Sequence, residues 1–140
     1  MQITPTFLNR IKTHEGFRSK PYLCSKGKLT IGFGRNLESK GIDEKEAETL
    51  LLNDVDEAVN ALEKEFDFFK SLNQTRQEVL TEMCFNLGVR GLKKFQKMLS
   101  ALEHKNYALA AQEMMKSAWA GQVKKRAQTL SQLMKTGTSE

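Results

Sequence analysis

At 140 residues the chain has room for one domain with a real core but not for two, and its 39% apolar content excludes a disordered protein. No apolar run approaches the roughly 20 residues of a membrane span, and Met1 to Arg10 lack a charged segment leading into an apolar stretch, so no secretory signal is expected. The net charge of +5 is uneven, with +6 in residues 1–40, −7 in 41–72 and +7 in 90–140. That polarity suits an anionic polymer such as cell wall, lipopolysaccharide or nucleic acid.

Thr4-Pro5 starts the first helix well, Thr as N-cap and Pro at the first helical position, with Phe7, Leu8 and Ile11 as its apolar face. The helix runs out at Glu15, and Gly16 and Pro21 break the pattern. Ser25-Lys26-Gly27-Lys28 reads as a hairpin turn, with Gly27 free to take positive φ. Leu29, Ile31 and Phe33 then alternate with Thr30, Gly32 and Gly34, as in a strand with one packed face, and the two glycines leave room for something to lie against the backbone. One short stretch thus delivers a carboxylate from a helix end, a thiol from one strand and a hydroxyl from the next.

Asp43 with Glu46 resembles a capping box, opening a helix of about 20 residues whose stripe is Ala47, Leu51, Val55, Ala58 and Leu62. Asn73 caps the next helix, Thr75 to Leu87, with Gly88 as its C′ residue. Leu92, Phe95, Leu99 and Leu102 mark another. Tyr107 to Met115 mark one ending near Trp119, where Gly121 interrupts. Val123, Ala127, Leu130 and Met134 mark the last, which Gly137 closes. Its cluster at 124–126 also makes this helix a candidate for disturbing outer membranes. Cys24 and Cys84 are too few for a disulfide scaffold and are read as free thiols, Cys84 as a buried small hydrophobe. His14 and His104 fall far apart and no Cys-x-x-Cys occurs, so no metal or other cofactor is expected.

Glu15, eight residues, Cys24, five residues, Thr30, flanked by Glu-Gly-Phe-Arg and Thr-Ile-Gly-Phe-Gly, resembles the catalytic triad of the phage-type lysozymes (endolysins), glycoside hydrolase family 24. The middle member there is usually Asp, a minority of phage endolysins carry Cys, and the usual His after the last Gly is Arg35 here. The resemblance implies an α+β, mostly α, lysozyme-like fold in a single domain, 1–140. A small N-terminal β-hairpin lobe, about 14–40, is joined by a long helix to a larger helical lobe, about 66–140 plus the N-terminal helix, with the triad in the cleft between lobes.

It further implies a muramidase that cleaves the β-1,4 bond between N-acetylmuramic acid and N-acetylglucosamine for host cell lysis. Glu15 would be the general acid, its pKa raised by partial burial. Cys24 would act as a thiolate, its pKa lowered by Lys20, Lys26 and Lys28, or would help place a water held by Thr30. Arg126 would pair with Glu15; Phe85 and Asn86 would line the sugar site; Arg35 would contact an acidic peptide stem or Glu15; Trp119, a further candidate for the sugar-binding wall, is read rather as core or hinge packing. Peptidoglycan is the expected partner and nucleic acid is not. A monomer is the default. The protein would wait in the host cytoplasm and reach the periplasm or wall through a holin lesion. The rival readings are a lytic transglycosylase, with one catalytic Glu and an anhydro product, and a non-catalytic basic wall-binding module.

Overall fold

A computed structural model describes residues 1–139, in two compact units, Met1–Thr49 and the residues from Leu50 onward. The first holds α1 (Pro5–Glu15), a three-stranded antiparallel sheet of β1 (Arg18–Leu23), β2 (Leu29–Gly32) and β3 (Arg35–Asn36), and a single turn α2 (Leu37–Lys40). The helix α1, grouped with the helical lobe in the sequence reading, falls in this unit. Thr4 caps α1 by accepting from the Phe7 amide at 3.2 Å, and Gly16 ends it at φ 73°. The hairpin turn forms as expected: the Gly27 amide donates to the Cys24 carbonyl at 2.8 Å and the Cys24 amide to that of Lys28 at 2.9 Å. The register sets Tyr22 against Thr30 and Thr30 against Asn36.

The packed face of β2 is opposite to the one its apolar residues suggest. Leu29 and Phe33 are exposed, whereas Thr30 is 2% exposed and is the buried polar residue of the chain's described part. Alternation alone sets which residues share a face, not which face is covered. Three hydrogen-bonded strands and a short helix are too little to cover every apolar group, and Phe7, Leu8 and Ile11 of α1 are not buried either.

The helix α3 (Glu44–Glu65) opens with the expected capping box, realised in both directions: the Glu46 amide donates to Asp43 Oδ1 at 2.8 Å and the Asp43 amide to Glu46 Oε1 at 3.0 Å. The second unit continues through a 3-10 turn, Phe69–Ser71, to α4 (Gln74–Lys93), α5 (Gln96–Glu103), α6 (Tyr107–Met115), α7 (Ala118–Val123) and α8 (Lys125–Thr136). Its core is apolar and closely filled, with Leu62, Leu80, Met83, Leu92, Met114 and Met134 fully covered.

At Gly88, φ 75° and ψ 164°, the helix breaks where expected, and the chain resumes as helix across a kink to Lys93. Gly121 lies inside α7; the interruption comes at Lys124, at φ 44°. A helix tolerates one glycine at about 1 kcal/mol, so Gly121 has no power to stop it. Arg76 ties α4 to the C-terminal end of α8, donating to the carbonyls of Met134 (2.7 Å) and Lys135 (3.1 Å), where a cation suits the helix dipole. Ala127, Leu130 and Met134 of α8 are buried, so the apolar stripe that made this helix a candidate for membrane disturbance is occupied by the core. Among the described residues no helix is long and apolar enough to cross a membrane.

Candidate active site

The hairpin joins two of the three triad positions directly. The turn places the backbone amides of Lys28 and Lys26, and the Thr30 hydroxyl, near enough to the Cys24 thiol to favour its ionised form. These contacts, the Lys28 amide first, hold the thiol below its ordinary pKa against a smaller opposing cost of desolvation. The sequence reading credited the lysine ammonium charges; the lysine backbone does the work instead. A turn whose amides converge on one atom is an anion cradle.

Thr30 is locked from the other side, its hydroxyl donating to the Lys28 carbonyl at 2.8 Å. A hydroxyl has one proton. That proton goes to the Lys28 carbonyl, so an ionised Cys24 competes with this carbonyl for it. The two residues therefore respond to ionisation as a pair.

Glu15 is the last residue of α1 and is exposed, not partly buried. Its neighbours explain this, since Phe17 and Phe33 are themselves open to solvent. Its carboxylate lies on Gly34, close enough that a β-carbon there would stand 2.6 Å from Oε2. Phe33 steadies the helix end, its ring 5.4 Å from that of Phe17 and 5.5 Å from Lys12 Nζ.

Arg35 pairs with Glu46, not with Glu15. Its guanidinium clasps Glu46 and donates to the Gly41 carbonyl at 3.0 Å, tying β3 to the start of α3. Arg126, matched by resemblance to a partner of Glu15, has Glu82 of α4 as its partner, Nε to Oε2 at 2.8 Å. That pair and the half-exposed ring of Phe85 line an open pocket of about 540 Å³ in the second unit, with Leu51, Val55 and Val59. Asn86 accepts the indole N–H of Trp119 at 2.8 Å, and Trp119, 4% exposed and edge-on to Phe95, is packing as expected. Cys84 is buried, which raises its pKa, and both cysteines are free thiols. Among the described residues no group of three or more His, Cys, Asp or Glu side chains could hold a metal.

The sequence reading missed Glu82, the pairing of Glu46 with Arg35, and the contact of Gly34 with Glu15. Arg126 and Glu82 lie 44 residues apart, and no spacing rule links a helix start to a carboxylate at that distance. The glycines of β2 did signal a close approach, without saying of what.

The sequence model of the phage lysozyme family matches residues 12–135. Probable T4-type lysozyme 2 of Dictyostelium discoideum is 28% identical over 91% of this chain and 92% of its own length. An endolysin of Bacillus phage B103 is 31% identical over the whole chain, which spans 56% of that protein. One of Salmonella phage P22 is 31% identical over 79% of the chain and 80% of its own length. A match over nearly the full sequence, joined to a mostly helical α+β fold with a small antiparallel sheet, places this chain in the phage lysozyme family, glycosidases that hydrolyse peptidoglycan.

Proposed function

We propose that this lysozyme is a muramidase, cleaving the β-1,4 bond between N-acetylmuramic acid and N-acetylglucosamine with Glu15, Cys24 and Thr30. The observation that supports the reading is the tight turn at Cys24, closed by the Gly27 amide on the Cys24 carbonyl and the Cys24 amide on the Lys28 carbonyl, whose lysine amides favour an anion where the resembling enzymes use a carboxylate. Glu15, in its acid form, delivers a proton to the leaving oxygen. The Cys24–Thr30 pair faces the positive charge that develops on the sugar and holds the water that attacks it. Phe85 and Asn86 supply an aromatic face and an amide for the sugar chain. The endolysin relatives favour a lytic role, and we propose with it a monomer that gathers in the host cytoplasm and reaches the wall through a holin lesion.

The test is clearing of purified peptidoglycan by wild type, Glu15→Gln, Cys24→Ser and Cys24→Asp, with masses of the products. Loss in Glu15→Gln and Cys24→Ser, retention in Cys24→Asp and hydrated products are expected. Products one water lighter would make the protein a lytic transglycosylase, and binding without clearing by any variant would make it a wall-binding module.

A further inference from the structure

Every other glycine of the first unit at positive φ has open space or only a distant carbonyl where a side chain would stand. Gly34 differs. At φ 79°, a β-carbon built on it would meet Glu15 Oε2 at 2.6 Å, Cδ at 3.1 Å and Cγ at 3.6 Å, whereas Gly32, at φ 69° two residues earlier, has nothing within 4 Å. The neighbouring Phe33 grips the end of α1 on both sides of the acid, through Lys12 before it and Phe17 after it. The Phe33-Gly34 corner is therefore the surface against which the carboxylate rests.

We infer that Gly34 is a positioning residue for the proton donor: its bare α-carbon forms the seat that fixes the Glu15 carboxylate, and any side chain there displaces the acid without unfolding the protein. The inference rests on the reading of Glu15 as the general acid. Its physical basis is which atom gives way. The clashing atoms are the far end of a flexible side chain at an exposed site, so a methyl group at position 34 is accommodated by swinging the carboxylate aside. Stability pays only for the backbone strain of a non-glycine residue at positive φ, a cost Gly32 would share. Catalysis pays for the movement, because displacing a reacting group by about 1 Å costs on the order of 100-fold in rate.

The experiment compares Gly34→Ala with Gly32→Ala, matched for strain but not for the clash, alongside Glu15→Gln, by thermal melting and by kcat and KM on soluble peptidoglycan fragments. The expected result is the same melting temperature for both alanine variants, a kcat lowered about 100-fold in Gly34→Ala alone, and a KM within about twofold of wild type. A purely structural role for Gly34 would lower the melting temperature of Gly34→Ala below that of Gly32→Ala and leave the kcat of the folded fraction intact. If Gly34→Ala does not fold, Gly34→Asn and Gly32→Asn repeat the comparison, since Asn accepts positive φ while keeping the β-carbon. Equal kcat in the matched pair, with Glu15→Gln inactive, overturns the positioning role. Full activity in Glu15→Gln overturns the assignment of the acid itself.

Discussion

Arg35 clasps Glu46 at both ends of its guanidinium, Nη1 to Oε1 at 2.9 Å and Nη2 to Oε2 at 2.5 Å. The same carboxylate closes the capping box of α3 by accepting from the Asp43 amide. One Glu thus anchors β3 and starts a helix, and a bidentate fork is a geometry that Lys cannot reproduce.

The clasp predicts an acid-labile first unit. Arg35 chiefly, and the Asp43 amide next, lower the Glu46 pKa to about 2 from an ordinary 4.5. A group that releases its proton more readily when folded stabilises the fold fully above the unfolded value. This contribution therefore fades as pH falls from about 4.5 to about 2. Removing the guanidinium in Arg35→Met should lower stability at pH 7 and flatten the decline through that window, measured by urea denaturation at pH 7, 4 and 3. An unchanged acid profile with a raised KM would instead return Arg35 to contact with substrate.

The cradle predicts that Cys24 is alkylated by iodoacetamide at neutral pH faster than a free cysteine, because the thiolate is the reacting form and the turn amides favour it. Cys84, buried and shifted the other way, should react slowly while the protein is folded. Thr30→Val keeps the shape and removes one donor to the thiolate. It should move the pH midpoint of Cys24 alkylation upward and cost about 0.5–1.5 kcal/mol of stability for the lost bond to the Lys28 carbonyl. A midpoint that does not move on this substitution would separate Thr30 from Cys24 and undo the paired action proposed for them.

The local structure was legible in the sequence where it depends on short spacings. Thr4, Gly16, the Gly27 turn and the Asp43–Glu46 box all act within a few residues, and each formed as its residue types require. What stayed hidden depends on tertiary packing. Alternation in β2 could not say that Thr30 would be the covered side chain. The charge on Lys26 and Lys28 obscured the role of their backbone amides. The partners of Arg35 and Arg126 depended on which helix each met in space. Gly88 and Gly121 looked alike as breakers, yet only Gly88 takes a conformation that bends its helix.

Arg126 and Glu82 allow structure and function to be separated. Both side chains are well exposed, and such ion pairs contribute on the order of 0–1 kcal/mol. Arg126→Ala should therefore leave stability within about 1 kcal/mol of wild type. A fall in kcat/KM of more than about tenfold, near 1.4 kcal/mol in transition-state terms, would then belong to substrate or to the acid and not to the fold. Equal losses in Arg126→Ala and Glu82→Ala would make the pair the functional unit. A loss in Arg126→Ala alone would leave Glu82 as its support, and unchanged activity in both would remove Arg126 from the site.

Asn86 and Trp119 have one hydrogen bond between them, and its two ends are unequal. The indole N–H belongs to a residue that is 4% exposed, while Asn86 is exposed. Asn86→Ala strands a buried donor and should cost about 1–3 kcal/mol. In a Trp119→Phe background there is no donor to strand, so the same substitution should cost almost nothing, and a double-mutant cycle by urea denaturation reads the difference directly. That background also isolates the sugar-binding role. If the Asn86 amide reads hydroxyl or N-acetyl groups, Asn86→Ala must raise KM by at least several-fold even in Trp119→Phe, where its structural task has been removed. A KM that does not move there would leave Asn86 as the partner of a core tryptophan, and Phe85 as the residue of the pair that meets the glycan.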